Sequence, residues 1–318
     1  MPPVLEERFR VMGSDAHVIV VGGPDGLVEM ARARLDHLER LWSRFLPDSE
    51  LSVANHRAGL WTEVSPETIE LVDRALLARD RTDGLFDPTR LHDVVAAGYS
   101  TSFDRMTGDS HDQPSPSTES SAPVHRRSSD GAPGRDVVEV DRSGMRVRIP
   151  VGSGFDPGGM GKGLAADVVS AELMENGALG VCVNVGGDLR VRGRGPADGD
   201  WIIGVDDPRD AAAPPVVELR LSDGAVATSS RCRRRWTNTD GTEAHHLIDP
   251  RTGEPARTEV LAATVVAAEG WQAEALAKTA FMSSTDAFMA RLAEAGAAGL
   301  VVTTDGFTRA SGLGRFVA

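Results

Sequence analysis

Residues 180–188 read Gly180-Val181-Cys182-Val183-Asn184-Val185-Gly186-Gly187-Asp188, a strand pattern running straight into paired glycines. Paired glycines at a strand end mark a tight turn. Downstream, 201–205 and 216–221 repeat the β pattern with no helical stretch between them. Strands that follow one another without a crossover helix pair antiparallel, so the chain reads as α+β with mixed or antiparallel sheets and flanking helices. Working upstream, 164–174 is helical by pattern and Gly177 supplies its stop. Phe9 to Val21 reads as β-structure interrupted at Gly13. Leu27, Met30, Ala31, Leu35, Leu38, Leu41, Trp42 and Phe45 recur at three- and four-residue steps, the mark of one buried helix face, which Pro47 and Asp48 end. A second helix opens at Ser65-Pro66-Glu67 and stops near Gly84. Beyond the central strands come a strand over 259–266, helices over 271–282 and 287–295, and a last strand over 299–303.

Between 106 and 135 the composition changes to Ser, Pro, Asp, Gly and Thr, with almost no aliphatic residues. Such a stretch cannot bury enough surface to offset its ordering entropy and reads as a disordered insertion loop. Strand-like sequence resumes at 137–149, so the loop interrupts one domain, expected over 7–310, and is not a linker between two.

The 318 residues suffice for a full hydrophobic core. A net charge of −13 argues against a nonspecific grip on nucleic acid or an anionic membrane, so a phosphate-bearing ligand needs a local site. Two cysteines are too few for a disulfide framework. Cys182 reads as a small core residue, whereas Cys232, among Arg231, Arg233, Arg234 and Arg235, is a candidate nucleophile by its cationic flanks. The N-terminal residues lack the basic and apolar regions of a signal peptide, and no apolar stretch reaches the ~20 residues of a membrane span, so the expectation is a cytoplasmic protein.

Four further segments bear on chemistry. Asp156-Pro157-Gly158-Gly159-Met160-Gly161-Lys162-Gly163 opens directly onto a helix, where backbone amides and the helix dipole favour an anion and Lys162 adds a charge. Its spacing is not that of a P-loop. By itself the string is as readily a structural turn as a phosphate site. His246-Leu247-Ile248-Asp249-Pro250-Arg251-Thr252-Gly253 brackets a turn. Ala225-Val226-Ala227-Thr228-Ser229-Ser230 reads equally as strand or ligand loop. Arg233, Arg234, Arg235 and Trp236 read as a solvated hairpin or as a contact surface for phosphates or acidic residues.

Taken in order with Met12-Gly13-Ser14, 45–52 and Leu85-Phe86-Asp87-Pro88-Thr89, these segments resemble the ApbE family, the FAD:protein FMN transferases. The resemblance runs from about Phe9 to Thr304 and omits only the Ser/Pro-rich insertion. It implies a T-fold-related architecture with FAD in a cleft between two α+β subdomains. It also implies transfer of the FMN half of FAD, with Mg²⁺, onto a Ser/Thr hydroxyl of an acceptor flavoprotein subunit, with release of AMP. By position it puts Met12, Phe45, Leu85, Phe86, Asp87, Asp156, Lys162, Thr228 and Ile248 at the flavin nucleotide, with Lys162 at the pyrophosphate. His246 matches the family's proposed base, a role that an ordinary imidazole pKa near ~6.5 suits. Phe45 stands where the family commonly has Tyr or Trp, keeping the ring without its polar tip.

One segment departs from the family's pattern. The family's metal ligands include an aspartate and an oxygen ligand four residues later on a C-terminal helix; here those positions are Glu274 and Lys278. An ammonium cannot ligate Mg²⁺. Three readings stand: Lys278 supplies the charge itself; Mg²⁺ binds Glu274 and the Gly159 carbonyl with Lys278 turned aside; or Glu274 and Lys278 form an ordinary i,i+4 pair and catalysis is impaired. The same site would also serve an FAD pyrophosphatase giving FMN and AMP, or a non-catalytic flavin-binding protein.

Overall fold

The computed structural model describes residues 2–102, 137–197, 199–210, 212–237, 241–306 and 308–318. The insertion expected at 106–135 lies outside the described residues. The centre of the fold is an eight-stranded sheet whose strands lie in the order Val4–Val11, Ser14–Val21, Gly180–Val185, Asp188–Gly193, Gly224–Ser230, Val260–Ala267, Ala298–Thr303 and Thr308–Ser311. Every neighbouring pair in it is antiparallel, as the succession of strands predicts.

The two faces of the sheet are covered differently. Alternation sends Ala16, Val18, Val20, Val181, Val183, Ala225, Ala227, Ala263 and Val265 to one face, which helices cover. The intervening Val21, Cys182, Val191, Val226, Val266 and Leu300 pack on the other face beneath the hairpin of Trp201–Val205 and Val217–Leu221. The helical face holds two apolar clusters. Leu27–Trp42, Pro66–Arg81 and Gly161–Glu175 build one, and Gly270–Thr279 and Thr285–Glu294 build the other. The alanines of the 225–230 run settle its reading: it is a strand, and its small side chains admit Ala273 and Ala277 of the covering helix.

The two clusters meet where helices Gly161–Glu175 and Gly270–Thr279 cross. A Cβ on Gly163 would stand 2.3 Å from the Gly270 carbonyl oxygen, so only glycine permits this approach. Each helix caps the other. Glu274 Oε2 accepts from the Gly163 N–H at 2.9 Å, and Asp167 accepts from the Gly270 and Trp271 N–H groups at 2.7 and 3.0 Å. Carboxylates at helix N-termini satisfy orphan donors and suit the dipole.

Several elements differ from the sequence reading. The first helix ends at Trp42, leaving Phe45 in the turn beyond it. The strand Asp188–Gly193 was not anticipated because Arg190 and Arg192 break its pattern; Arg190 is buried against Asp167 and Asp223. Helices Glu50–His56 and Leu91–Ala96 are too short to show a period. The stretch 137–149 divides into Glu139–Asp141 and Arg146–Arg148, with Met145 at a positive φ of 48° in the turn. Cys182 is a core thiol, pushed up to about 12 by burial.

Candidate active site at the seam of the helical face

A cavity of about 520 Å³ opens where the two clusters meet. It is lined by Met12, Phe45, Leu85, Phe86, Asp87, Asp156, Gly159, Lys162, His246, Ile248 and Lys278, which therefore converge as the sequence expectation required. Arg44, Tyr99 and Arg234 join them. Two expected residues stand outside the lining. Glu274 lies buried beneath it. Thr228 bonds Thr264 across the sheet at 2.9 Å, and strand alternation puts it on the side of Val226, away from the helical face.

Met12 reaches the cavity through the two-residue turn of the first hairpin. Val11 pairs with Ser14, and Met12 and Gly13 take φ of 52° and 61°, the double positive that a type I′ turn requires. The Met12 N–H is held by Glu39, whose carboxyl burial raises.

At one end of the cavity the walls are aromatic. The Arg44 guanidinium sits 4.2 Å from the Phe45 ring centroid and 4.6 Å from that of Tyr99, and Tyr99 is 5.5 Å from Trp236. Arg44 is fixed by the Tyr99 carbonyl at 2.9 Å and by Asp156 at 3.4 Å. Sequence reasoning missed Arg44 and Tyr99. Tyr99 is the chain's one tyrosine, an isolated aromatic just before the Ser-rich insertion, and that was its only visible signal. Asp87 is occupied within its own loop, accepting from Thr89 N–H at 2.9 Å and from Arg90 at 3.1 Å.

The other end is cationic. Lys162, in the first turn of its helix, donates to Asp188 and, at 3.1 Å, to Glu274 Oε1. Lys278 donates to the same Glu274 oxygen at 3.3 Å and to the Glu274 carbonyl at 3.4 Å. Each ammonium has three donors, so each keeps one for a ligand in the cavity. Burial pulls both lysines down, against the pull of Glu274; Lys162 comes to about 8. Burial alone would raise Glu274, but the two lysines and the Gly163 amide outweigh it and keep the carboxylate ionised. Glu274 thus accepts from three donors, two of them ammoniums.

His246 follows strand Glu243–His245 and lines the cavity. Burial lowers its pKa well below the ordinary imidazole value, and Arg234 and Lys278 lower it further. Its ring bonds the Arg234 backbone, while buried Nδ1 has no partner. A carbonyl only accepts, so the ring nitrogen bonded to Arg234 carries the proton, and the buried Nδ1 lone pair is left unpartnered. Neighbouring His245 differs at Nδ1, which accepts from the Leu247 N–H at 3.3 Å while its Nε2 lies 3.1 Å from the Ala256 carbonyl. Among the described residues no three His, Cys, Asp or Glu side chains gather as a metal site.

A family model described as the ApbE family matches residues 12–301, nearly the whole chain. The chain belongs to the ApbE family. Among curated relatives, the FAD:protein FMN transferase of Treponema pallidum (strain Nichols) is 28% identical over 296 residues, 87% of this chain and 77% of that protein. The one from Klebsiella pneumoniae (strain 342) is 28% identical over 276 residues, 82% and 75% of the two chains. Among solved structures, the ApbE protein from Thermotoga maritima superposes with a TM-score of 0.79 at 25% identity, covering 98% of this chain and 97% of its own. The flavin transferase ApbE from Vibrio cholerae has a TM-score of 0.75 at 21% identity, covers 99% of both chains, and shares the fold. No helix among the described residues is long and apolar enough to cross a membrane.

Proposed function

We propose that this chain is an FAD:protein FMN transferase that attaches FMN to a Ser or Thr hydroxyl of an acceptor protein and releases AMP. One observation carries the reading: a single cavity joins an aromatic end, a dilysine end and a neutral histidine whose Nδ1 has no hydrogen-bond partner. Phe45, backed by the buried Tyr99, offers its ring to a planar heterocycle. Lys162 and Lys278, each with a donor to spare, suit a diphosphate. Nδ1 of His246 takes the proton of the acceptor hydroxyl as its oxygen forms a bond to the flavin-side phosphorus. The bond from that phosphorus to the bridging oxygen breaks, and AMP leaves with that oxygen. In-line phosphoryl transfer asks the protein mainly for positioning and charge stabilisation, and here the lysines supply the charge.

The Mg²⁺ that the family resemblance implies does not fit these residues. Both Glu274 oxygens already accept hydrogen bonds, and two ammoniums stand 3.1 and 3.3 Å from Oε1. A dication there would meet two like charges at close range. Of the three readings of the Glu274–Lys278 pair, this arrangement favours Lys278 as the built-in cation.

The test is to incubate the chain with FAD and a peptide bearing an acceptor threonine, with and without EDTA. The expected result is a peptide carrying one FMN unit, stoichiometric AMP, and transfer largely unchanged by EDTA. AMP and free FMN with no modified peptide would replace the transferase by a hydrolase. Abolition of transfer by EDTA would return the metal to the site.

A further inference from the structure

Of the arginines at 231–235, only Arg234 lines the cavity. Arg233 is 73% exposed and faces Asp206 at 3.8 Å, and Arg231 donates to the Thr258 carbonyl at 2.8 Å. Arg234 occupies the left-handed region, with φ of 50°. For a bulky residue this conformation is strained and persists only where the surroundings hold it. Its guanidinium crosses to the turn of the first hairpin, donating to Ser14 Oγ at 2.8 Å and to the Gly13 carbonyl at 3.4 Å.

Both of those partners are neutral, and the carboxylates nearby are already taken. Asp188 and Glu274 hold the two lysines, and Asp156 faces Arg44. Among the described residues no carboxylate stands within ion-pair distance of Arg234. Its charge nevertheless acts on Lys162, Lys278 and His246, each of which it pushes toward the neutral form. Three cations therefore share this wall with two carboxylates. A partly buried guanidinium in excess, beside two ammoniums that each keep a donor, lacks an anion. Its planar fork matches two oxygens of a phosphate in a way an ammonium does not.

We propose that Arg234 is a phosphate-binding residue of the cavity, whose fork moves from Ser14 and Gly13 onto the nucleotide diphosphate and grips it together with Lys162 and Lys278. The assignment rests on the flavin-nucleotide reading above. It also gives Arg234 two tasks: it holds His246 by its backbone and the diphosphate by its side chain.

The test uses the full chain with Arg234→Ala and Arg234→Lys, titrated with FAD, ADP and riboflavin, with thermal unfolding as a check that both variants fold. The alanine variant is expected to bind FAD and ADP about ten- to a hundredfold more weakly, the range of a lost charge-assisted contact. Riboflavin, which has the rings and no phosphate, should bind within twofold of wild type. The lysine variant should recover part of the loss, because it keeps the charge without the fork. ADP affinity within twofold of wild type in the alanine variant overturns the proposal, as does a loss of riboflavin affinity equal to that of FAD. Wild-type protein that binds ADP but neither FAD nor riboflavin sinks the flavin reading alone, since the Arg234→Ala titration with ADP still decides this one.

Discussion

Lys162 holds one end of the cavity through its two carboxylate partners, and its environment sets a testable pH dependence. Its ammonium is pulled down to about 8, chiefly by burial. An ammonium binds an anion and an amine does not, so FAD affinity should fall as pH rises past about 8, below the ordinary lysine range near ~10.4. Fluorescence titration between pH 7 and 10 checks this, and Lys162→Ala should bind FAD weakly throughout with that inflection gone. The linkage to folding has the opposite sense. Between about 8 and the unfolded value the native chain carries fewer protons than the unfolded one, so this group's contribution to stability rises with pH there. His246 also has a depressed pKa. Its lone pair survives below the ordinary imidazole range, so the transfer rate should show no inflection near pH 6.5; a bell limb there would contradict its assignment as the base. His246→Ala should lower the rate by roughly 10²–10⁴-fold while leaving FAD affinity within a few-fold. At this scale the fold brings most of the residues assigned by resemblance to the lining of one cavity. Thr228 stays outside it, because a one-residue step along a strand reverses the face.

At the scale of elements, the site depends on two helices crossing at their glycines. Gly163→Ala would drive a Cβ to 2.3 Å from the Gly270 oxygen, separating the helices and drawing Glu274 from the Gly163 amide. The expected loss is about 1–3 kcal/mol of stability, measured by denaturant unfolding, together with weaker FAD binding. An alanine variant as stable as wild type would show that the crossing tolerates expansion. The string Gly161-Lys162-Gly163 was legible as a helix opening with a placed cation. That its second glycine serves a helix crossing was not, because the partner, Gly270, lies more than a hundred residues away. The short elements escaped for a different reason. Helices of six or seven residues and a strand interrupted by arginines carry no readable period, and Arg190 is neutralised only by partners brought in by the fold.

For the whole molecule, the cavity lies on the seam between two apolar clusters that rest on one continuous sheet. A ligand there touches residues from both, so binding should stabilise the entire fold. At a hundredfold excess over Kd, FAD should add about 2.7 kcal/mol and raise Tm by roughly 4 °C, as scanning calorimetry would read it. Riboflavin at the same concentration should do less, because it leaves the cationic end unfilled. An unmoved Tm with FAD at that excess would show that the folded chain does not bind it.

The sequence by itself determined the α+β class, the antiparallel order of the central strands and membership of a flavin-transferring family. These follow from local periodicity and from ordered motifs, which need no knowledge of distant contacts. The tertiary structure alone decided how the charges are shared. Lys162, Asp188 and Glu274 come from three separate segments, and their pairing arises only where two helices cross above a strand turn. Arg234 changed from a member of an arginine run to a cavity cation for the same reason. A charge's role depends on which opposite charges lie within a few ångströms of it, and spacing along the chain does not record that distance.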